Sequence, residues 1–170
     1  MAGNSTVLPK PTNRYRGNEM AGEIRWTYAS QHTLEASGAE GASDVFVPAN
    51  DSSLVSNSAI HLDYPWADFA LYCDFKDGGV AAGSVIKLYR QPLDIQSTND
   101  APAPATTHKR VFVGSFVIKT GEGGASSPKW YPLTDVEIKH AQQYSIENKT
   151  DQSISAGWKL YATPKTYEPA

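Results

Sequence analysis

At 170 residues, with 40% apolar and 19% charged side chains, the chain has the length and composition of one folded domain, not of a disordered polar polymer. A formal net charge of -3 argues against nucleic acid as a partner, since proteins that bind it carry a basic patch or stripe. No stretch approaches the roughly 18 consecutive apolar residues of a membrane span, and residues 1–12 hold no apolar signal region, so cytoplasmic synthesis and no membrane partner are expected.

The chain opens on a segment rich in Asn, Pro, Gly and Arg with no sustained periodicity, read as an extended N-terminal arm over residues 1–22. Lys10, Arg14, Tyr15 and Arg16 give this arm groups with which to dock on a neighbour, which a Gly/Ser linker would lack. The bland alternative is a tail that is disordered or packs on its own domain. A single β domain is expected over residues 23–170. It begins with a short strand, Glu23 to Tyr28, followed by a Gly/Ala/Ser-rich connection to about Ser43.

From there short strands recur, separated by clusters of Gly, Pro, Asn, Asp and Ser. The candidates are Asp44 to Val47, Ser58 to Leu62, Ala67 to Phe75, Ser84 to Arg90, Arg110 to Lys119, Trp130 to Leu133, Asp135 to Ile138, Gln143 to Asn148 and Gly157 to Thr163. Their alternation of apolar and polar residues is that of antiparallel strands with one wet face, so the fold class is all-β, a sandwich or a barrel. In Ala67 to Phe75 the inner set is Phe69, Leu71, Cys73 and Phe75, which makes Cys73 a buried structural thiol; Asp68, Tyr72 and Asp74 lie outside. In the last strand Trp158, Leu160 and Ala162 point inward. Two runs, Lys87 to Pro92 and Lys159 to Pro164, read as strands that a proline ends. The one segment with helical spacing, Val136 to Tyr144, carries β-branched residues and neighbouring prolines that favour extended chain.

One strand departs from simple alternation. In Val111 to Ile118 both alternating sets are apolar or small, which predicts a strand covered on both faces. The preferred cover is a second subunit, with Val111, Val113 and Val117 as the oligomer contact; the alternative is the arm folding back in cis.

Chemistry-bearing patterns are sparse. His32, His61, His108 and His140 are scattered without metal-ligand spacing, no GxSxG elbow surrounds a serine, and the glycine-rich run Thr120 to Pro128 lacks the GK[ST] ending of a phosphate loop. The expectation is a non-enzymatic protein with no catalytic residues, cofactor or metal. The long polar segment Gln91 to His108 suits a contact loop. Trp66, flanked by Asp63 and Asp68, is a candidate glycan contact, with a sugar stacked on the indole and a carboxylate accepting its hydroxyls; the plain alternative is a polar turn. The glycosylation triplets at Asn4, Asn50 and Asn148 carry no weight without a secretion signal.

Together, the missing signal region, the arm Asn4 to Tyr15, a β-rich domain with a jelly-roll-like strand count and the ending Gly157 to Pro164 resemble a small virion structural protein of a tailed bacteriophage. The resemblance covers most of the chain and has no fixed motif, so no binding residue is carried over. It implies an antiparallel β-sandwich, jelly-roll-like, of the capsid decoration or cement class. It further implies a homo-oligomer, a trimer, made in the host cytoplasm and bound to the major capsid protein on the capsid surface of the virion. The rival readings are a phage tail or fibre component or receptor- or carbohydrate-binding β module, and a small β-fold enzyme. Strand order is not legible at this level: jelly roll, immunoglobulin-like sandwich and closed barrel all fit.

Overall fold

The computed structural model describes residues 24–49, 63–92, 110–124, 126–138 and 142–169. Within them the chain forms β1 (Ile24–Tyr28), β2 (His32–Gly38), β3 (Phe46–Pro48), β4 (Trp66–Cys73), β5 (Val85–Pro92), β6 (Val111–Val117), β7 (Lys129–Glu137), β8 (Gln142–Lys149) and β9 (Trp158–Pro169). All pairings are antiparallel. One sheet runs β1-β9-β4-β7, with β2 lying end to end with β1 along the same side of β9; the other runs β3-β8-β5-β6. A single apolar core joins the two, so the architecture is an all-β antiparallel sandwich.

Where alternation is clean, the strand forms as the pattern dictates. β4 buries Ala67, Phe69, Leu71 and Cys73 and turns Asp68 and Tyr72 outward, while β9 buries Trp158, Leu160 and Ala162. Facing them from the second sheet are Ile86 and Leu88 of β5, Phe116 of β6 and Ile146 of β8, all fully buried. Tyr144 reaches across to Phe69, ring centroids 5.0 Å apart.

Three expectations are corrected. The Gly/Ala/Ser-rich connection contains a strand, β2, whose period is hidden by two register shifts against β9. Gly38 in β2 is the seat of Trp158: a Cβ there would come within 2.0 Å of the indole, whose Nε1 donates to Ala39 O at 2.8 Å. The candidates Trp130 to Leu133 and Asp135 to Ile138 are one strand, β7, broken in register opposite Asp68, where Asp135 takes a left-handed φ of 60°.

Pro164 does not end the last strand, which runs on to Pro169, whereas Pro92 does end β5. In an antiparallel strand the N–H and C=O of one residue point to the same side. Ala29 N donates to Pro164 O at 2.8 Å, so the proline nitrogen faces the junction where β2 stops pairing, at Ala162, and β1 starts, at Lys165. No ladder bond is lost there.

Val111 to Ile118 contains the edge strand β6: among the described residues it pairs with β5 alone, and Val111, Phe112 and Val117 are exposed. The residues of the arm, the candidate strand Ser58 to Leu62, His61, His108, His140 and the greater part of Gln91 to His108 lie outside the described residues.

Candidate functional site

β6 has the sequence Val-Phe-Val-Gly-Ser-Phe-Val and pairs with β5 alone, so among the described residues its second side offers open backbone N–H and C=O groups. Val111, Phe112 and Val117 are 43%, 55% and 69% exposed. Val113 is different. Leu88 pairs with Gly114 and Tyr89 with Phe112, so Val113 is the extra residue of a bulge, and it packs partly buried against the core. Of the three residues expected at an oligomer contact, the structure leaves Val111 and Val117 exposed and packs Val113 partly buried against the core.

The same bulge turns Phe112 to the outer face. There its ring meets Tyr89 at 5.7 Å, and Tyr89 meets Phe46 at 5.1 Å, both edge-on. The Arg110 guanidinium lies 4.0 Å above the Phe46 ring. Tyr89 also donates to Glu147 Oε2 at 2.9 Å, and burial, reinforced by that carboxylate, raises the phenol above its ordinary value.

Beside β6 a cleft of about 370 Å³ opens between the edges of the two sheets. Its walls include Trp66 at the head of β4, Arg90 from β5, Phe112 from β6, and Thr134, Asp135 and Glu137 from β7. Arg90 is fixed by donating Nη1 to Glu137 O at 2.9 Å, and its other terminal nitrogen stands 4.0 Å from the Glu137 carboxylate. The guanidinium side chain is 16% exposed.

A second polar cluster borders the cleft through Asp135. Lys165 points to the outer side of β9, yet it is only 3% exposed because Trp26 and Tyr28 of β1 lie over it, their ring centroids 4.3 and 5.9 Å from Nζ. Its ammonium lies 2.5 Å from Asp68 Oδ1 and 2.6 Å from Asp135 Oδ1. Burial pulls the lysine down, but the two carboxylates more than offset it and the net shift is upward. The hydrogen bond from Lys165 holds the Asp135 carboxyl below its usual value. Asp68 Oδ1 also accepts from Asp135 N at 3.0 Å, so one carboxylate fixes both the bulge and the lysine.

The three candidate glycan residues are thus spread over different roles. Trp66 lines the cleft, Asp68 is engaged by Lys165 and the β7 backbone, and Asp63 is exposed ahead of β4. The structure places Arg90, Phe112, Asp135 and Glu137 around Trp66 instead, from three strands far apart in sequence. The gap left between two candidate strands at Thr134 was the one visible signal of the Asp135 bulge.

Other chemistry is structural. Burial pushes the Cys73 thiol up to about 12, which keeps it protonated and unreactive. Gly121 N and the carbonyl of Gly123 bond to Val80 and Phe75, so the glycine-rich run packs backbone to backbone on the segment after β4. Asn148 is fully buried, its amide donating to Gly41 O and Gln152 O at 3.0 and 2.7 Å. Among the described residues no group of three His, Cys, Asp or Glu side chains is arranged to hold a metal ion. No protein-family model matches the chain, and no curated protein matches it in sequence.

Proposed function

We propose that this chain is a non-enzymatic structural protein that assembles with copies of itself through β6 and decorates the outer surface of a tailed-phage head. The observation that carries the proposal is the open edge of β6, apolar along its length, with Val111, Phe112 and Val117 exposed. Edge strands of monomeric proteins are blunted by charge, proline or covering elements, and β6 has no charged residue or proline. Pairing two such edges satisfies backbone groups and removes apolar surface from water at one stroke, and a closed oligomer multiplies weak attachments to a shell.

The jelly-roll form of the sandwich is part of the same reading. Its support is the strand order: with β1 set aside as an extension along β9, β2-β9-β4-β7 facing β3-β8-β5-β6 is eight strands in two four-strand sheets, the plan of jelly rolls in capsid and lectin domains. Fold alone does not assign function, so the phage head rests on the resemblance described above and the oligomer on β6. The arm over residues 1–22 is assigned the contact with the major capsid protein, through Lys10, Arg14, Tyr15 and Arg16.

Light scattering on the purified chain, followed by co-sedimentation with phage heads that lack it, tests the proposal. A trimer that pellets with the heads is the expected result; a monomer that stays in the supernatant overturns it. Deleting residues 1–22 is expected to leave the thermal transition in place and abolish pelleting. A truncated chain that still pellets would remove the arm from the mechanism.

A further inference from the structure

We propose that the cleft between β6 and β7 is a binding site for a single neutral pyranose ring. Its volume of about 370 Å³ is at the lower end of the ~300–1,000 Å³ range of small-ligand sites, which suits one or two rings and not a folded partner. Trp66 and three aliphatic residues, Val113, Leu133 and Val136, give it apolar wall, and Phe112 borders it from β6. Arg90, Thr134, Asp135 and Glu137 supply donors and acceptors in the same space.

The ligand class follows by elimination. A purely apolar occupant would strip water from a guanidinium and two carboxylates and leave them without compensation. An anion would meet Asp135 and Glu137, and a cation would meet the Arg90 guanidinium, while the Asp135 carboxylate is already taken up by Lys165 at 2.6 Å. What remains is a neutral molecule with an apolar face for the Trp66 indole and a polar rim of hydroxyls, which is the chemistry of a pyranose. The polar groups are also preset for it. Arg90 commits Nη1 to Glu137 O and keeps further N–H donors of its five, and Asp135 is held in place by Lys165 and Asp68. The backbone of Asp135 sits at φ 60°, an outlier for a non-glycine residue of the kind that clusters at binding sites.

This inference does not rest on the capsid reading, because every lining residue belongs to one chain. Its test is titration of the full-length ¹⁵N-labelled chain with methyl glucoside, galactoside, mannoside and N-acetylglucosaminide, followed by amide and indole NMR shifts. Expected are shifts confined to Trp66, Arg90, Phe112 and Thr134 to Glu137 for at least one glycoside, and at least tenfold weaker binding in Trp66→Ala and in Arg90→Gln. Either variant suffices if the other does not fold. Trp130→Ala, which alters an exposed ring outside the cleft, is expected to bind as the parent does.

The trisaccharide of the responding sugar separates the two sources of such a ring: equal affinity assigns the cleft to free sugar, tighter binding to the end of a surface glycan. The Val117→Lys chain is titrated in parallel, so that a closed β6 contact and a failed site are told apart. No shift with any glycoside in either chain overturns the inference, as does binding that is unchanged in both Trp66→Ala and Arg90→Gln.

Discussion

β6 and β7 close their two sheets side by side, with Leu133 of β7 packed over Gly114 of β6, yet they handle an open edge in opposite ways. β7 carries Lys129, Asp135 and Glu137, a proline at 132 that has no N–H to offer a further strand, and a bulge pinned by Asp68. Each of these hinders the approach of another strand. β6 carries none of the charges and no proline, and exposes two valines and a phenylalanine; its one irregularity, the bulge at Val113, turns Phe112 further into solvent. The pair teaches that exposure at one edge is selective: among the described residues, the same side of the sandwich is closed to pairing along β7 and left available along β6.

The sharpest way to break this comparison is to treat β6 as β7 is treated. Val117→Lys places a charge on the open edge at a residue that is 69% exposed, so the monomer fold is expected to be unchanged. Self-association is expected to weaken about a hundredfold, about 2.7 kcal/mol, measured by sedimentation equilibrium across a dilution series. A variant that assembles as tightly as the parent would mean that β6 is not the contact.

The reverse test loosens β7. Asp68→Ala removes the acceptor of Asp135 N and one of the two carboxylates on a buried ammonium, and about 2 kcal/mol of stability is expected to go with it, read from urea midpoints. The cluster also sets a pH window. The Asp135 carboxyl is lowered in the fold, so its contribution is present above the unfolded value near 3.8 and lost as pH falls through the folded one. Lys165 is raised, so its contribution is full below 10.5 and lost as pH rises through the folded value. Stability is therefore expected to fall at both limits, and Asp135→Asn to flatten the acid limb. An acid limb identical in the variant would show that the ion cluster does not hold the bulge.

Much of this contrast was legible in the chain and part was not. Val111 to Ile118 stood out because a strand with two apolar faces has no ordinary place at a surface, and it contains the edge strand β6, with Val111 and Val117 exposed. β4 and the first half of β9 were legible because each has a partner on both sides there, which keeps the period at 2. β2 was not, since only Leu34 marks its core face clearly while Glu35 beside it is also buried, and its fit is dictated by Trp158, 120 positions after Gly38. The run past Pro164 was hidden for a related reason: a proline in a strand is harmless where two neighbours hand over, and only pairing shows that. The cleft depends on Arg90 and Glu137 meeting across 47 positions, and on a register break in β7 that no local pattern encodes.

The finest test of the two edges is Gly114→Ala, where β6 touches β7. The new Cβ would stand 2.8 and 2.9 Å from the two methyl carbons of Leu133, too close for contact but against the free end of a flexible side chain that is only partly buried. Leu133 can rotate toward the cleft, so the expected cost is about 1 kcal/mol, in contrast to Gly38, where a rigid, buried indole would be struck. Chemical denaturation measures it directly. A loss above about 3 kcal/mol would show β6 and β7 locked together as core. In that case the open side of β6 could not adjust to a second copy, and the selective edge would be a rigid template, not an adaptable one.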